Sequence, residues 1–192
     1  MLFRSERVIV DFDGETTFEN VDEARVVGME LEARQTLGIF TKALAGLQAG
    51  GNITFVRSEV DIPEKEMVFI RAYDPNAKKT REFMGQSPYV LNLDLSWEAE
   101  ERGMSATLFY NVFGKRLSEN ALGGTPDVME KPASMLNFTF SKKASAHVSI
   151  KFSAKNLLNS KEKKVQEYRG IEYIRNESGK GRTFSFGVGY SL

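Results

Sequence analysis

The chain has 192 residues, and its 26 lysines and arginines balance 26 aspartates and glutamates. This length supports one domain or part of a larger one, and the zero net charge excludes a bulk electrostatic attraction to nucleic acid. The lack of cysteine excludes disulfides, thiolate metal sites and cysteine nucleophiles, and no apolar run approaches the ~20 residues that a membrane helix requires.

Alternation of apolar and polar residues recurs along the whole chain and predicts an all-β fold with eight strands. The predicted strands cover about residues 6–12, 22–35, 47–60, 89–97, 104–112, 136–141, 147–155 and 181–192. The fourth strand, YVLNLDLSW, has the clearest pattern, because Asn92 and Asp94 lie between leucines.

The connections between the predicted strands alternate in length. Short ones lie around 38–46, 99–103 and 142–145, and long ones rich in charge, glycine and proline cover 61–80, 115–132 and 159–180. Short turns at one rim and long loops at the other predict an antiparallel up-and-down sheet. Residues 1–5 precede the first strand and are either native or a non-native extension.

Two kinds of barrel fit this alternation: a soluble barrel with an apolar interior and a transmembrane barrel with an apolar exterior. Tyr89 and Trp97 lie on one face of the fourth strand with only leucines between them on that face. Their separation corresponds to ~26 Å along a strand, close to the ~25 Å apolar band of an outer-membrane barrel. We interpret them as membrane-interface aromatics, which favours the transmembrane barrel.

The chain end, SFGVGYSL, has a polar residue, a glycine, an aromatic residue and a hydrophobic residue at Ser185, Gly187, Tyr190 and Leu192. This pattern resembles the signal that the bacterial barrel-assembly machinery reads on outer-membrane proteins, which implies that machinery as a partner. Many such proteins end in phenylalanine where this chain has leucine. Since backbone groups in lipid must be paired, we expect the last strand to close the barrel by pairing with the first strand.

Six segments are similar, in order and spacing, to successive segments of TonB-dependent outer-membrane receptors. They are NVDEARVVGMELEARQTLG (20–38), GNITFVRSEV (51–60), GQSPYVLNLDLSW (85–97), YNVFGKRL (110–117), FSAKNLLNSK (152–161) and GRTFSFGVGYSL (181–192). The resemblance implies a barrel of ~22 strands with a plug in its lumen, of which residues 1–192 would be the C-terminal eight strands. The plug and the N-terminal strands are then expected to be absent from this chain.

The same resemblance implies a location in the bacterial outer membrane, in contact with its lipid. Such receptors take up a scarce substrate, such as a ferric siderophore, cobalamin or an oligosaccharide. The energy comes from the TonB complex, which would contact the missing N-terminal region.

We find no catalytic constellation, so the sequence predicts neither an enzyme nor a cofactor. His147, the single histidine, begins a strand on its polar face and is expected to form hydrogen bonds rather than bind a metal. Glu30 and Glu32 alternate with Arg34 and are expected to form a charge-compensated lumen wall.

Two long loops combine arginine with tyrosine, in FIRAY (69–73) and EYRGIEYIR (167–175). Arg71, Tyr73, Tyr168 and Arg169 are therefore candidates for binding an anionic or polyol ligand. The alternative is that both stretches are strands that continue above the membrane, with the tyrosines packed on their neighbours.

Two other functions stay open from the sequence. A complete eight-stranded outer-membrane barrel with an adhesive or structural role accounts for the strand number but not for the six segments. A soluble ligand-binding barrel leaves the terminal pattern and the aromatic margins unexplained.

Overall fold

The computed structural model describes residues 6–10, 16–20, 24–121 and 125–191, with side chains for 24–72, 74–120 and 125–191. The strands are β1 (Glu6–Val10), β2 (Thr16–Asn20), β3 (Ala24–Thr36), β4 (Leu47–Asp61), β5 (Thr80–Arg81), β6 (Tyr89–Ala99), β7 (Met104–Phe113), β8 (Arg116–Ala121), β9 (Val128–Glu130), β10 (Ser134–Lys143), β11 (Val148–Lys155), β12 (Glu162–Tyr168), β13 (Ile171–Ser178) and β14 (Thr183–Tyr190). The helices are α1 (Glu64–Tyr73) and short 3₁₀ turns at Leu37–Ile39, Lys42–Leu44 and Glu100–Arg102.

Seven long antiparallel strands form what we call the wall sheet, in the order β14-β11-β10-β7-β6-β4-β3, with β5 attached to β4. They correspond to the last seven of the eight predicted strands, and the predicted all-β, up-and-down antiparallel architecture is confirmed. Within the described ranges β3 pairs only with β4 and β14 only with β11, so the sheet is open at both edges.

A second sheet, which we call the outer sheet, has the strand order β13-β12-β9-β8-β1-β2. Four of its strands continue wall strands: β7 leads into β8, β9 into β10, β11 into β12 and β13 into β14. The outer sheet thus fills the long connections at one rim, where the sequence predicted loops. The short turns lie at the opposite rim.

The first predicted strand, residues 6–12, has a different place from the one expected. Its described part forms β1, which pairs antiparallel with β2 and parallel with β8 in the outer sheet rather than joining the wall sheet. Residues 11 and 12 lie outside the described residues. Alternation over a few residues fits either sheet, so it did not fix the partner.

The apolar and polar residues of the wall sheet lie on opposite faces, as the strand period requires. Cross-strand register aligns Leu31, Ile53, Leu91 and Val112 in one row of the apolar face. This face is open: Leu93 is 45% exposed and Phe186 70% exposed. A soluble barrel would bury these side chains in a shared core, and the described residues form no such core at this face.

The buried apolar side chains of the described residues lie mostly outside the wall face. Val60, Met67, Leu117, Val128 and Val165 are buried, and they belong to the loop-side end of β4, to α1 and to the outer sheet. Most of the water-excluding packing in the described residues therefore lies at the rim with the long connections.

The helix α1 corrects the expectation for FIRAY, which was predicted as loop or strand. The helix follows Pro63, has Glu64 and Glu66 in its first turn, and buries Met67. Proline before the first turn and acidic residues within it are helix-start signals, because no backbone N–H is lost and the carboxylates face the positive end of the helix dipole.

Candidate functional site

Tyr89 and Trp97 lie near the two ends of β6, on the apolar face of the wall sheet. Tyr89 is directly opposite Phe55, and Trp97 is opposite Leu47. The Tyr89 ring covers Gly114, where an added Cβ would lie 2.8 Å from Tyr89 Cε1. The glycine therefore allows the ring to lie flat on the sheet, at the margin where an amphipathic ring suits a membrane interface.

The polar face of the wall sheet has a chain of amide hydrogen bonds that crosses four strands. Asn111 Nδ2 donates to Asn92 Oδ1 (2.6 Å), and Asn92 Nδ2 donates to Asn52 Oδ1 (2.7 Å). Asn52 Nδ2 then donates to the Glu30 carboxylate (3.4 Å). Asn92 and Asn52 each donate and accept, so this asparagine chain links the four strands by direct side-chain hydrogen bonds.

An ion pair lies on the same face, one row closer to the short turns. Arg34 Nη2 on β3 lies 3.4 Å from Asp94 Oδ1 on β6, and Arg34 Nη1 donates to Gln48 Oε1 at 3.3 Å. The pair spans β4 above Gly50. Further rows carry the hydroxyl pairs Ser96–Thr107 and Ser105–Ser141. This face is therefore a polar, internally hydrogen-bonded surface, on which Arg34 pairs with Asp94 rather than with Glu30 or Glu32.

Asn156 links the wall sheet to the outer sheet at the β11–β12 elbow. Its backbone is left-handed (φ 54°), and its side-chain oxygen accepts from Ser160 N at 2.9 Å. Its amide donates to the carbonyls of Ser160 (3.0 Å) and Gly181 (3.1 Å). One side chain thus joins the β11–β12 elbow to the β13–β14 elbow.

Arg81 joins three segments of the outer region. Its guanidinium binds Glu66 of α1 and lies 3.7 Å from Asp127, which precedes β9. Only about 10% of the Arg81 side chain is exposed. Beside it, a cavity of about 910 Å³ lies between β4 and residues 78–88.

The described residues contain neither a cluster of metal-binding side chains nor a membrane-spanning helix. Across these ranges, no group of three or more His, Asp or Glu side chains could hold a metal ion. No helix in the described part of the chain is long and apolar enough to cross a membrane.

Comparison with known proteins supplies the family. The model of the family described as TonB dependent receptor-like, beta-barrel, matches residues 3–157, most of the chain. The chain belongs to this family. No curated protein and no solved structure matches it.

Membership gives the protein its location and its broad role. TonB-dependent receptor barrels lie in the bacterial outer membrane, and they are receptors for transport rather than enzymes. In that membrane the open apolar face of the receptor's wall sheet is the face that suits contact with lipid, and the asparagine chain lies on the opposite side.

The four candidate ligand residues of the receptor lie on two separate elements. Arg71 and Tyr73 are on α1, where the side chain of Tyr73 lies outside the described residues. Tyr168 and Arg169 are at the tip of the β12–β13 hairpin, with the Arg169 guanidinium 5.2 Å from the Tyr168 ring centroid. Positive φ at Arg169 and Gly170 gives a two-residue turn of the kind that suits strand twist.

Lysine–glutamate pairs hold the outer sheet of the receptor. A hydrogen bond from Lys131 (2.6 Å) lowers the pKa of Glu172 below its usual value, and Lys163 lowers it further. Lys161 lowers the pKa of Glu177 in the same way. Lys164 also pairs with Glu119 at 2.9 Å, so the three lysines between 161 and 164 each have a carboxylate partner.

The predicted assembly signal lies on β14 and just beyond it. Ser185 and Gly187 are on the polar face, Tyr190 is exposed on the apolar face, and Leu192 lies outside the described residues. His147 Nδ1 lies 3.0 Å from the Ser191 carbonyl, so the histidine forms hydrogen bonds at the short-turn rim.

The sequence analysis did not predict that Asn156 and Arg81 each join separate segments of the chain. A signal for Asn156 was present, since alternation stops at NLLN and asparagine tolerates left-handed backbone. Arg81 had no comparable signal, because its partners lie 15 and 46 positions away in the sequence.

Proposed function

We propose that this chain is the C-terminal part of the barrel of a receptor for TonB-dependent uptake of a scarce small molecule. The substrate class is a ferric siderophore, cobalamin or an oligosaccharide. The TonB complex would act through an N-terminal region, and a plug domain would cover the polar face of the wall sheet.

The open wall sheet carries this proposal. Its two edge strands, β3 and β14, each have one partner in the described residues. In lipid, unpaired backbone N–H and C=O groups cost several kcal/mol each (roughly), so further strands are needed to close the barrel. A larger barrel supplies them, whereas a soluble sheet would have no need for closure.

The uptake of labelled substrates tests the proposal directly. Cells that produce the full-length receptor should accumulate one member of a panel of ferric siderophores, cobalamin and oligosaccharides, and only when TonB is present. Uptake that continues without TonB would contradict the proposal. So would a closed, monomeric, heat-resistant barrel formed in mild detergent by residues 1–192 alone.

The assembly signal has its own matched test on one strand. Tyr190 and Val188 are both exposed on the apolar face of β14, but only Tyr190 is at a position of the signal. Tyr190→Ser should lower the amount of folded receptor in the outer membrane more than Val188→Ser does. Equal losses would indicate a general need for apolar residues rather than recognition by the assembly machinery.

The hairpin tip is the better-defined candidate for ligand contact. Arg169 stacks near Tyr168 and both are exposed, an arrangement that suits an anionic or polyol group. Arg169→Ala should raise the substrate concentration needed for half-maximal uptake. Arg175 on β13 is also exposed. Arg175→Ala is the control and should leave that concentration unchanged.

A further inference from the structure

The turn between β3 and β4, residues 37–46, is a compact structure of its own. Two consecutive 3₁₀ turns form it, closed by backbone hydrogen bonds from Phe40 N to Leu37 O (3.1 Å) and from Leu44 N to Thr41 O (3.0 Å). Thr41 Oγ1 also accepts from Ala43 N at 3.4 Å. The turn is therefore closed by its own hydrogen bonds.

This turn presents large apolar side chains outward. Ile39 is 67% exposed and Phe40 is 72% exposed, while Leu37 and Leu44 are half-buried. Lys42 is its single charged residue. Two adjacent large apolar side chains at the tip of an ordered turn would be unfavourable in water.

The other two turns at the same rim have the opposite composition. The β6–β7 turn exposes Glu100, Glu101 and Arg102, and the β10–β11 turn exposes Lys143 and Ser145. Water is the natural surrounding of such turns. The apolar β3–β4 turn therefore requires an environment less polar than the water around the other two turns.

Cross-strand register shows what that surrounding is. Leu47, the first residue of β4, is directly opposite Trp97 on the apolar face of the wall sheet. Ile39 and Phe40 lie in the turn that joins the end of β3 to Leu47. The exposed apolar residues of the turn are thus close in the chain to the last row of the apolar face.

We propose that residues 37–46 form an interfacial anchor, in which Ile39 and Phe40 enter the boundary between headgroups and acyl chains of the adjacent leaflet. Short turns of outer-membrane barrels are periplasmic, so the occupant is phospholipid of the inner leaflet. Lys42 lies next to the apolar pair and binds a lipid phosphate, as basic residues do at membrane interfaces.

Spin-label accessibility in pure phospholipid vesicles tests the anchor without any protein partner. The full-length receptor is labelled at Phe40→Cys and, as a control on the charged turn at the same rim, at Glu101→Cys, with the signal of unlabelled parent subtracted. We expect accessibility to a water-soluble nickel chelate to be several-fold lower at position 40 than at position 101, and accessibility to oxygen to be higher.

Equal nickel accessibility at the two positions would overturn the proposal and place the turn in water. Label at Ile39→Cys repeats the test if Phe40→Cys lowers the folded yield. In vesicles with anionic phospholipid, Lys42→Glu should raise nickel accessibility at position 40 several-fold. Protection at position 40 only in native membranes, and not in pure lipid, would identify a protein partner and also overturn the proposal.

Discussion

Arg34 on β3 forms an ion pair with Asp94 on β6, although β4 lies between their strands. The Nη2–Oδ1 distance is 3.4 Å, and the two side chains meet directly above Gly50. Neighbouring strands are about 4.8 Å apart, so the pair must span two strand spacings. The glycine in the middle strand provides the space for this contact on the polar face.

Gly50→Ala should break this ion pair at small cost. An added Cβ would lie 2.6 Å from Asp94 Oδ1 and 3.1 Å from Arg34 Cζ, the far ends of flexible side chains that can swing away. Because Arg34 is half exposed, we expect a loss of about 0–1 kcal/mol in the free energy of unfolding. A double-mutant cycle of Arg34→Met and Asp94→Asn should give a coupling energy in the parent receptor and none in Gly50→Ala.

Gly51→Ala should cost more than Gly50→Ala, although the two glycines are neighbours on β4. On the apolar face an added Cβ would lie 2.7 Å from Leu93 Cδ2 and 2.9 Å from the Asn92 backbone carbonyl. A carbonyl held in the sheet cannot swing away, so we expect about 1–3 kcal/mol of overpacking. Urea unfolding of both variants in lipid vesicles measures the difference, and equal costs would contradict the role of the carbonyl.

The sequence predicted the wall strands well because each strand has one apolar and one polar face. In β6, leucines at every second position and Asn92 and Asp94 between them could satisfy only a strand with two different surroundings. The apolar exterior followed from Tyr89 and Trp97 at the two ends of one face. These features lie within single strands, so the sequence shows them without knowledge of the neighbouring strands.

Elements whose stability depends on distant partners were harder to predict. The sequence placed β1 in the wall sheet, but pairing of Ile9 with Asn120 puts it beside β8. The helix α1 was missed although Pro63 and Glu64 mark its start. The buried Glu66 of this helix pairs with Arg81, and no local sequence pattern indicates that contact.

Asn92→Leu should destabilise the wall sheet by interrupting the asparagine chain. The change leaves the Asn111 amide without its acceptor and the Asn52 oxygen without its donor. We expect a loss of about 1–3 kcal/mol, because the partners stay polar after their hydrogen bonds are removed. Thr54→Val on the same face is the control and should cost less, and an equal cost would contradict the importance of the chain.

Asn156 should stabilise the elbow through two separable effects. Asn156→Gly keeps the left-handed backbone but loses the bonds to Ser160 and Gly181, which we expect to cost about 1–3 kcal/mol. Asn156→Ala adds about 1 kcal/mol for a side chain at positive φ. In both variants, hydrogen exchange should become faster than in the parent at β12 and β13, and should change less in the wall strands. Uniformly faster exchange would contradict a local role.

Glu172 should titrate below a normal glutamate because Lys131 hydrogen-bonds its charged form. A lowered folded pKa contributes stability above the unfolded value of about 4.3, and this contribution is lost as the pH falls through the folded pKa. The Glu172 resonance is identified with Glu172→Gln in receptor containing glutamate labelled with ¹³C at the carboxyl. Lys131→Met should then raise the titration midpoint of Glu172. The titration midpoint of Glu177, which pairs with Lys161, should stay unchanged. An unchanged Glu172 midpoint would mean that the Lys131 hydrogen bond does not form in the membrane-bound receptor.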